Sequence, residues 1–229
     1  MTMNFELKLD TLNKAVADMG ALVVESIGDS MRALMDMDKD LAQKNMEFDH
    51  EIDQKMKEIE SLCLKLLLFQ QPVAKDMRFI SATLKMVNDL ERIGDQCADI
   101  SSIVINLEKS GRENPLKKLR SIAPMEESVK YMVSKSVASF VFQDVFQAEK
   151  VIEKDDVLDK LFHESKKDLV EFIRNGDPIA ESAIDSFMVS KYLERIGDHA
   201  VNVAKWAIFS VTGNHSGVSL FGAAEIEEK

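Results

Sequence analysis

The chain has 229 residues, 45% hydrophobic and 30% charged, enough for one large domain or two small ones with a real core. Acidic residues outnumber basic ones 40 to 29, for a net charge of -11. That balance excludes a nucleic-acid binder, which needs a basic footprint to displace counterions from phosphate; the densest basic stretch is only Lys117, Lys118 and Arg120.

From the N-terminus, residues 1–10 mix acids with apolar residues and lack the apolar core of a signal peptide. Phe5, Leu9, Leu12, Val16, Met19, Val23, Ile27 and Leu34 then nearly follow alternating steps of three and four, the stripe of a long amphipathic helix. The acidic cluster Asp36 to Asp40 marks its end. A second helix carries Ile52, Met56, Ile59, Cys63 and Leu66, and Gln71-Pro72 breaks it, because proline disfavours a helical residue before it. The run from Leu62 to Gln71 is the longest nearly uncharged one, but it contains Lys65 and is too short to span a bilayer. A cytoplasmic protein that meets the membrane only through partners is the expectation.

A third helix is predicted from about Val73 to Glu108, followed by a linker, Ser110-Gly111-Arg112-Glu113-Asn114-Pro115. A fourth begins near Pro124, where proline is tolerated in the first turn. A fifth carries Leu158, Leu161, Phe162, Leu169 and Phe172 and stops at Asn175-Gly176-Asp177-Pro178. A sixth runs to about Ser210, and the tail from Gly213 is small and acidic. The two cysteines, Cys63 and Cys97, sit at apolar helical positions and read as buried free thiols in a reducing compartment.

Three helices on each side of a linker invite a search for a repeat. Leu90-Glu91-Arg92-Ile93-Gly94-Asp95 recurs as Leu193-Glu194-Arg195-Ile196-Gly197-Asp198, an offset of 194 − 91 = 103. Upstream, Asp49 and Asp53 match Asp155 and Asp159, and Pro72 matches Pro178, both at 155 − 49 = 178 − 72 = 106. The fold class is therefore all-α: two pseudo-symmetric three-helix bundles, with repeats over 1–113 and 114–212 and a flexible acidic tail over 213–229.

Glu91, Asp95 and Asp99 lie four residues apart in the third helix; Glu194, Asp198 and Asn202 do so in the sixth. Residues at i and i+4 share one face, with Cβ atoms about 6 Å apart. Val73, Met77, Ile80, Leu84 and Val87 trace an apolar line that reaches Glu91. Asp49 and Asp53 flank the stripe of the second helix, so two acidic pairs can meet along one seam. Carboxylates converging there need a cation or extensive hydrogen bonding. A single such pair ordinarily marks a solvated face; two matched copies favour metal. A metal-free structure with these acids paired to Lys or Arg would sink the metal reading. Oxygen-rich donors favour hard cations such as magnesium, calcium, manganese or iron, with zinc also open. His50 and His199 read as exposed helix histidines beside the acids. Gly94 and Gly197 each cost about 1 kcal/mol of helix propensity, which close approach of a neighbouring helix explains.

The doubled Leu-Glu-Arg-Ile-Gly-Asp, each preceded by Asp-x-x-x-Asp one helix earlier, resembles the PhoU family from about Phe5 to Ser210. The resemblance implies two similar three-helix bundles and multinuclear iron or zinc sites, with manganese or magnesium as alternatives. It implies one site at Asp49, Asp53, Glu91 and Asp95, extended by Asp99, and a second at Asp155, Asp159, Glu194 and Asp198. Asn202 stands where the first copy has Asp99, so the two sites are not expected to be equal. The implied function is not enzymatic. It is negative regulation of phosphate uptake and phosphate-starvation signalling by a homodimeric adaptor. Its implied partners are the ATPase subunit of the phosphate ABC transporter and a PhoR-type histidine kinase. Two alternatives stand beside it. A di-iron carboxylate enzyme in a helical bundle would place Glu-x-x-His on two helices, a spacing the motif lacks. A purely structural helical scaffold would leave the acids solvated.

Overall fold

The computed structural model describes residues 2–70, 72–110, 114–176, 182–215 and 218–219. Six long helices follow one another: α1 Thr2–Asp36, α2 Lys39–Gln70, α3 Ala74–Ser110, α4 Ile122–Val141, α5 Val145–Arg174 and α6 Ala183–Thr212. A 3-10 turn, Pro115–Lys118, precedes α4, and two-residue strands, β1 Asn214–His215 and β2 Val218–Ser219, pair after α6. Parts of the predicted linker (111–113), of the second turn (Asp177 and Pro178) and of the tail (220–229) lie outside the described residues.

The stripe predicted for α1 is the one that is buried. Leu12, Val16, Met19, Val23, Ile27 and Leu34 are fully enclosed, with Phe5 and Leu9 packed at the edge. Burial of each such side chain is worth about 1.5–3 kcal/mol, which is what holds a helix of this length against α2 and α3. In each half the three helices pack on one another, and the halves join through α3 against α6 and α1 against α4. The α3–α6 contact is the most extensive between any two helices. One continuous core runs through both halves.

The first turn of each half is built the same way. Met37 after α1 and Gln143 after α4 both adopt left-handed backbone, φ 56° and 54°. The next residue then caps the following helix: Asp38 Oδ1 accepts from Leu41 N and Asp144 Oδ1 from Gln147 N, both at 2.9 Å. These pairs are related by 143 − 37 = 144 − 38 = 106 positions, the offset already seen in the acids. The acidic cluster at Asp36 thus ends one helix and starts the next.

The halves differ inside. In the first, Asn45 on α2 is buried, accepts from Ser26 Oγ of α1 at 3.0 Å and donates to Ser101 Oγ of α3 at 3.0 Å. The matching residue of the second half, 45 + 106 = 151, is the buried Val151. Both cysteines are free and buried, and burial pushes each thiol up to about 12.

One expectation needs correction. The apolar line through α3 is buried at Ile80 and Val87, but Met77 is 42% exposed and Val73, just before the helix, 68%. They belong to the tip of the α2–α3 pair, where Leu68 and Phe69 are exposed as well. The buried face of α3 is carried by Phe79, Ile80, Met86, Val87, Leu90, Ile93 and Cys97, which leaves Glu91 on its flank.

Candidate functional site

The repeated motif divides by role. Its Leu and Ile are core: Leu90, Ile93, Leu193 and Ile196 are fully buried. Its glycines face the preceding helix. A Cβ on Gly94 would stand 2.8 Å from Asp49 Oδ1 and 3.1 Å from Ile52 Cδ1. A Cβ on Gly197 would overlap Leu158 Cδ2 and stand 3.6 Å from Asp155 Oδ1. Close helix approach therefore accounts for both glycines. In both copies it draws the first aspartate of the α2 or α5 pair against the acid-bearing helix.

The carboxylates respond to one another. Asp49 is raised above the usual carboxylate range, by burial first and then by the charges of Asp95 and Asp53, with Asp99 contributing. Glu91 is raised by burial and by Asp95, against the opposing pull of Arg92; Asp53 and Asp49 add to the rise. In the second copy Asp155 is raised from 3.8 to about 6 by burial and by Asp159, Asp198 and Glu194. Asp198 is raised by burial and by Glu194, with Lys191 opposing. The acids named from the sequence thus feel one another's charge across two helix pairs, Asp49, Asp53, Glu91 and Asp95 across α2–α3 and Asp155, Asp159, Glu194 and Asp198 across α5–α6.

Three of the eight acids, Glu91, Asp95 and Glu194, are paired with a basic side chain, which counts against the metal reading at those places. Arg92 pairs with Asp95 at 2.8 Å and Glu91 at 3.5 Å, and Lys191 with Glu194 at 2.5 Å. All three pairs lie within one helix, and Arg92 is 61% exposed, so each contributes little. Among the described residues no ion pair reaches Asp49, Asp53, Asp155, Asp159 or Asp198, and Asp49 Oδ1 is buried without a hydrogen-bond partner. No three His, Cys, Asp or Glu side chains among the described residues are disposed to hold a metal ion as they stand. The donor set fits a hard cation: carboxylates only, mutually destabilised, one oxygen unsatisfied.

A pH dependence follows from Asp155. Its folded value lies above its unfolded one, so the folded state binds more protons between them. The metal-free protein is expected to lose stability as pH rises from about 4 through about 6, then to level off. Thermal melts across that range with chelator present check this; Asp155→Asn should flatten the slope.

The third place of each acid line goes elsewhere. Asp99 is raised by burial but drawn down by a hydrogen bond from the Tyr192 hydroxyl of α6, with the Arg195 charge nearby. Asn202, its counterpart, donates from Nδ2 to Asp89 Oδ1 of α3 at 3.2 Å. Asp89 also bonds His199 Nδ1 at 2.9 Å and accepts from Trp206 Nε1 at 3.3 Å. Asp89 and Tyr192 are themselves related by 192 − 89 = 103. So the same two positions face each other across the α3–α6 seam in both directions, and Asn202 and Asp89 are hydrogen-bonded there. His199, expected exposed, is half-buried in this seam; His50 is exposed as expected. Arg92 stays on its own helix, whereas Arg195 faces Asp99.

No shared motif marks Asp89, because the two copies carry different residues there. A groove of about 830 Å³ between α1 and α4, floored by Gly20, Ala21, Val24 and Ala138, holds none of the motif acids.

Comparison with known proteins bears on both the doubling and the whole chain. The PhoU domain matches twice, over residues 16–104 and 122–207. The phosphate-specific transport system accessory protein PhoU homolog of Clostridium acetobutylicum is 33% identical, over 91% of this chain and 94% of its own. That of Aquifex aeolicus is 37% identical, over 82% and 84%. The crystal structure of PhoU from Pseudomonas aeruginosa superposes with a TM-score of 0.82 at 31% identity, covering 92% of this chain and all of that one. The repeated acid-bearing helices, the paired bundles and the two domain matches agree from end to end, and the chain belongs to the PhoU family.

Proposed function

We propose that this chain is a metal-binding negative regulator of phosphate uptake and phosphate-starvation signalling. In this reading it is an adaptor, not an enzyme. It works in the cytoplasm as a homodimer, between the ATPase subunit of a phosphate ABC transporter and a PhoR-type histidine kinase. The support is the pair of acid clusters, on a chain whose relatives are named accessory proteins of the phosphate-specific transport system. No helix among the described residues is long and apolar enough to cross a membrane, so contact with the transporter would run through its soluble parts.

Asp49, Asp53, Glu91 and Asp95 would hold one cation group, and Asp155, Asp159, Glu194 and Asp198 the other. Iron or zinc is the expected metal, with manganese or magnesium as alternatives. A bound cation would offset the repulsion that raises these carboxylates and would tie α2 to α3 and α5 to α6. The chemistry expected of it is charge neutralisation and cross-linking of helices. A di-iron enzyme would want histidine nitrogen at the metal, and of the two histidines beside the second site His199 is bonded to Asp89 and His163 to the Asp159 carbonyl.

The test is elemental analysis of the purified protein before and after changing Glu91, Asp95, Glu194 and Asp198 to alanine. Several metal equivalents in the parent that disappear in the variant are the expected result. Chelation should also lower the melting temperature of the parent, because a ligand of the folded state stabilises it. No metal after loading with iron, manganese, zinc and magnesium would sink the metal part of this reading.

A further inference from the structure

The relation between the halves sends each turn and its counterpart to opposite ends of the molecule. α1 and α4 run antiparallel, with Gly20 against Val137 and Gly28 against Lys130. The Phe79–Phe140 stack, with centroids 5.0 Å apart, sets the start of α3 beside the end of α4. The α2–α3 tip and the α4–α5 turn therefore share one end, and the α5–α6 tip and the α1–α2 turn share the other. Four matched places, at 174 − 68 = 142 − 36 = 106 positions, show the same bias. Leu68 and Phe69, each 73% exposed, correspond to Arg174 and Asn175. Phe142 and Phe146, 78% and 66% exposed, correspond to Asp36 and Asp40. All four counterparts are exposed, so these turns close without apolar residues. The apolar member stands at the same end every time.

Charge follows the same axis. Over residues 61–84 the chain carries Lys65, Lys75 and Arg78 against one acid, Asp76, in a protein with a net charge of -11. Lys150 lies over the Phe146 ring, 4.2 Å from its centroid. The opposite end exposes the aliphatic Ile173 and Ile184 but shares them with the exposed acids Asp36, Asp38 and Asp40. We propose that the α2–α3 tip and the α4–α5 turn together seat this end of the bundle in the headgroup layer of an anionic lipid bilayer. Side chains standing this clear of two separate turns project singly. Projecting Leu and Phe enter the boundary of the acyl chains one by one, while the lysines around them meet lipid phosphates. The acid excess elsewhere is repelled by the same surface, which orients the molecule with this end down. Seating of this kind needs no helix that crosses the membrane. The inference is independent of the acid clusters and goes beyond contact with a membrane through a protein partner.

The test is flotation of the full chain with vesicles of equal parts phosphatidylglycerol and phosphatidylcholine, against vesicles of phosphatidylcholine alone. Binding to the anionic vesicles is expected, weaker at high salt and much weaker on the neutral ones. Leu68→Ser with Phe69→Ser, or Phe142→Ser with Phe146→Ser, should each lower the partition about tenfold or more. Lys65→Gln and Lys75→Gln should lower it about fivefold each. Ile173→Ser with Ile184→Ser, at the opposite end, should leave it unchanged. All these side chains are exposed, and unaltered melting temperatures check that the variants fold. A parent chain that does not float with anionic vesicles overturns the proposal, as does binding that neither apolar pair weakens. Sedimentation velocity without vesicles then identifies the protein alternative. Self-association that the apolar variants abolish, in a chain that ignores vesicles, would make this end a contact between copies instead.

Discussion

Phe140→Ala is expected to lower the unfolding free energy by about 3–5 kcal/mol. Phe140 is fully buried near the end of α4, and its ring stacks on Phe79 of α3 with centroids 5.0 Å apart. The pair therefore joins the two halves. Removing the ring takes away its transfer energy and leaves a cavity between helices already fixed by other contacts, so little relaxation can fill it. Urea unfolding checks this: the midpoint should fall with the slope unchanged. Phe79→Ala should not add fully to it, since each loses the same stacking contact, worth about 0.5–1.5 kcal/mol. A loss under about 1 kcal/mol would mean that the helices close up and that the ring is not a joint between the halves.

Alanine at the two motif glycines should give unlike results. At Gly197 a Cβ overlaps Leu158 Cδ2, and Leu158 is fully buried. Overpacking of this kind costs about 1–3 kcal/mol, and the gain in helix propensity returns only about 1 kcal/mol. Gly197→Ala should therefore destabilise on balance. Leu158→Val in the same chain should recover part of the loss, because it shortens the obstructing side chain. At Gly94 the nearest atom is the carboxylate end of Asp49, at 2.8 Å, which can turn aside, while the buried Ile52, at 3.1 Å, need give only a few tenths of an ångström. Gly94→Ala should cost little stability but displace Asp49, so its effect is expected in the metal content attributed to the first acid cluster. Paired melts and elemental analyses of the two variants distinguish these outcomes. Equal destabilisation at both positions would contradict the difference in packing.

The helices were legible because their cores are one-sided. Leu12, Val16, Met19, Val23 and Ile27 sit where a period near 3.6 puts them, and each is enclosed. Turns were legible where chemistry forces them: α2 ends at Gln70 before Pro72, and α5 ends at Arg174 before Gly176, whose φ is +65°. The acid pairs were found because identity at a fixed offset marks positions that share an environment. What stayed hidden depends on the third dimension. Val73 and Met77 have the right phase but lie beyond the packed length of the bundle, and periodicity carries no information about where a neighbour stops. The seam around Asp89 joins residues 110 or more positions apart, His199, Asn202 and Trp206, and no local pattern relates them. The one available signal was the offset of 103 applied to unlike residues, which pairs Asp89 with Tyr192 and Asp99 with Asn202.

That crossed pairing of α3 with α6 has the form of a symmetric dimer contact, yet both partners belong to one polypeptide. A dimer of identical three-helix units dissociates on dilution and must carry the same residue on both sides of its axis. A tethered pair does neither. Its second association is intramolecular, so the contact survives at any protein concentration. Each side is also free to specialise: a carboxylate at 99 opposite an amide at 202, an amide at 45 where 151 is valine. Joining the copies is what frees each of them to carry its own residue at a shared place in the fold.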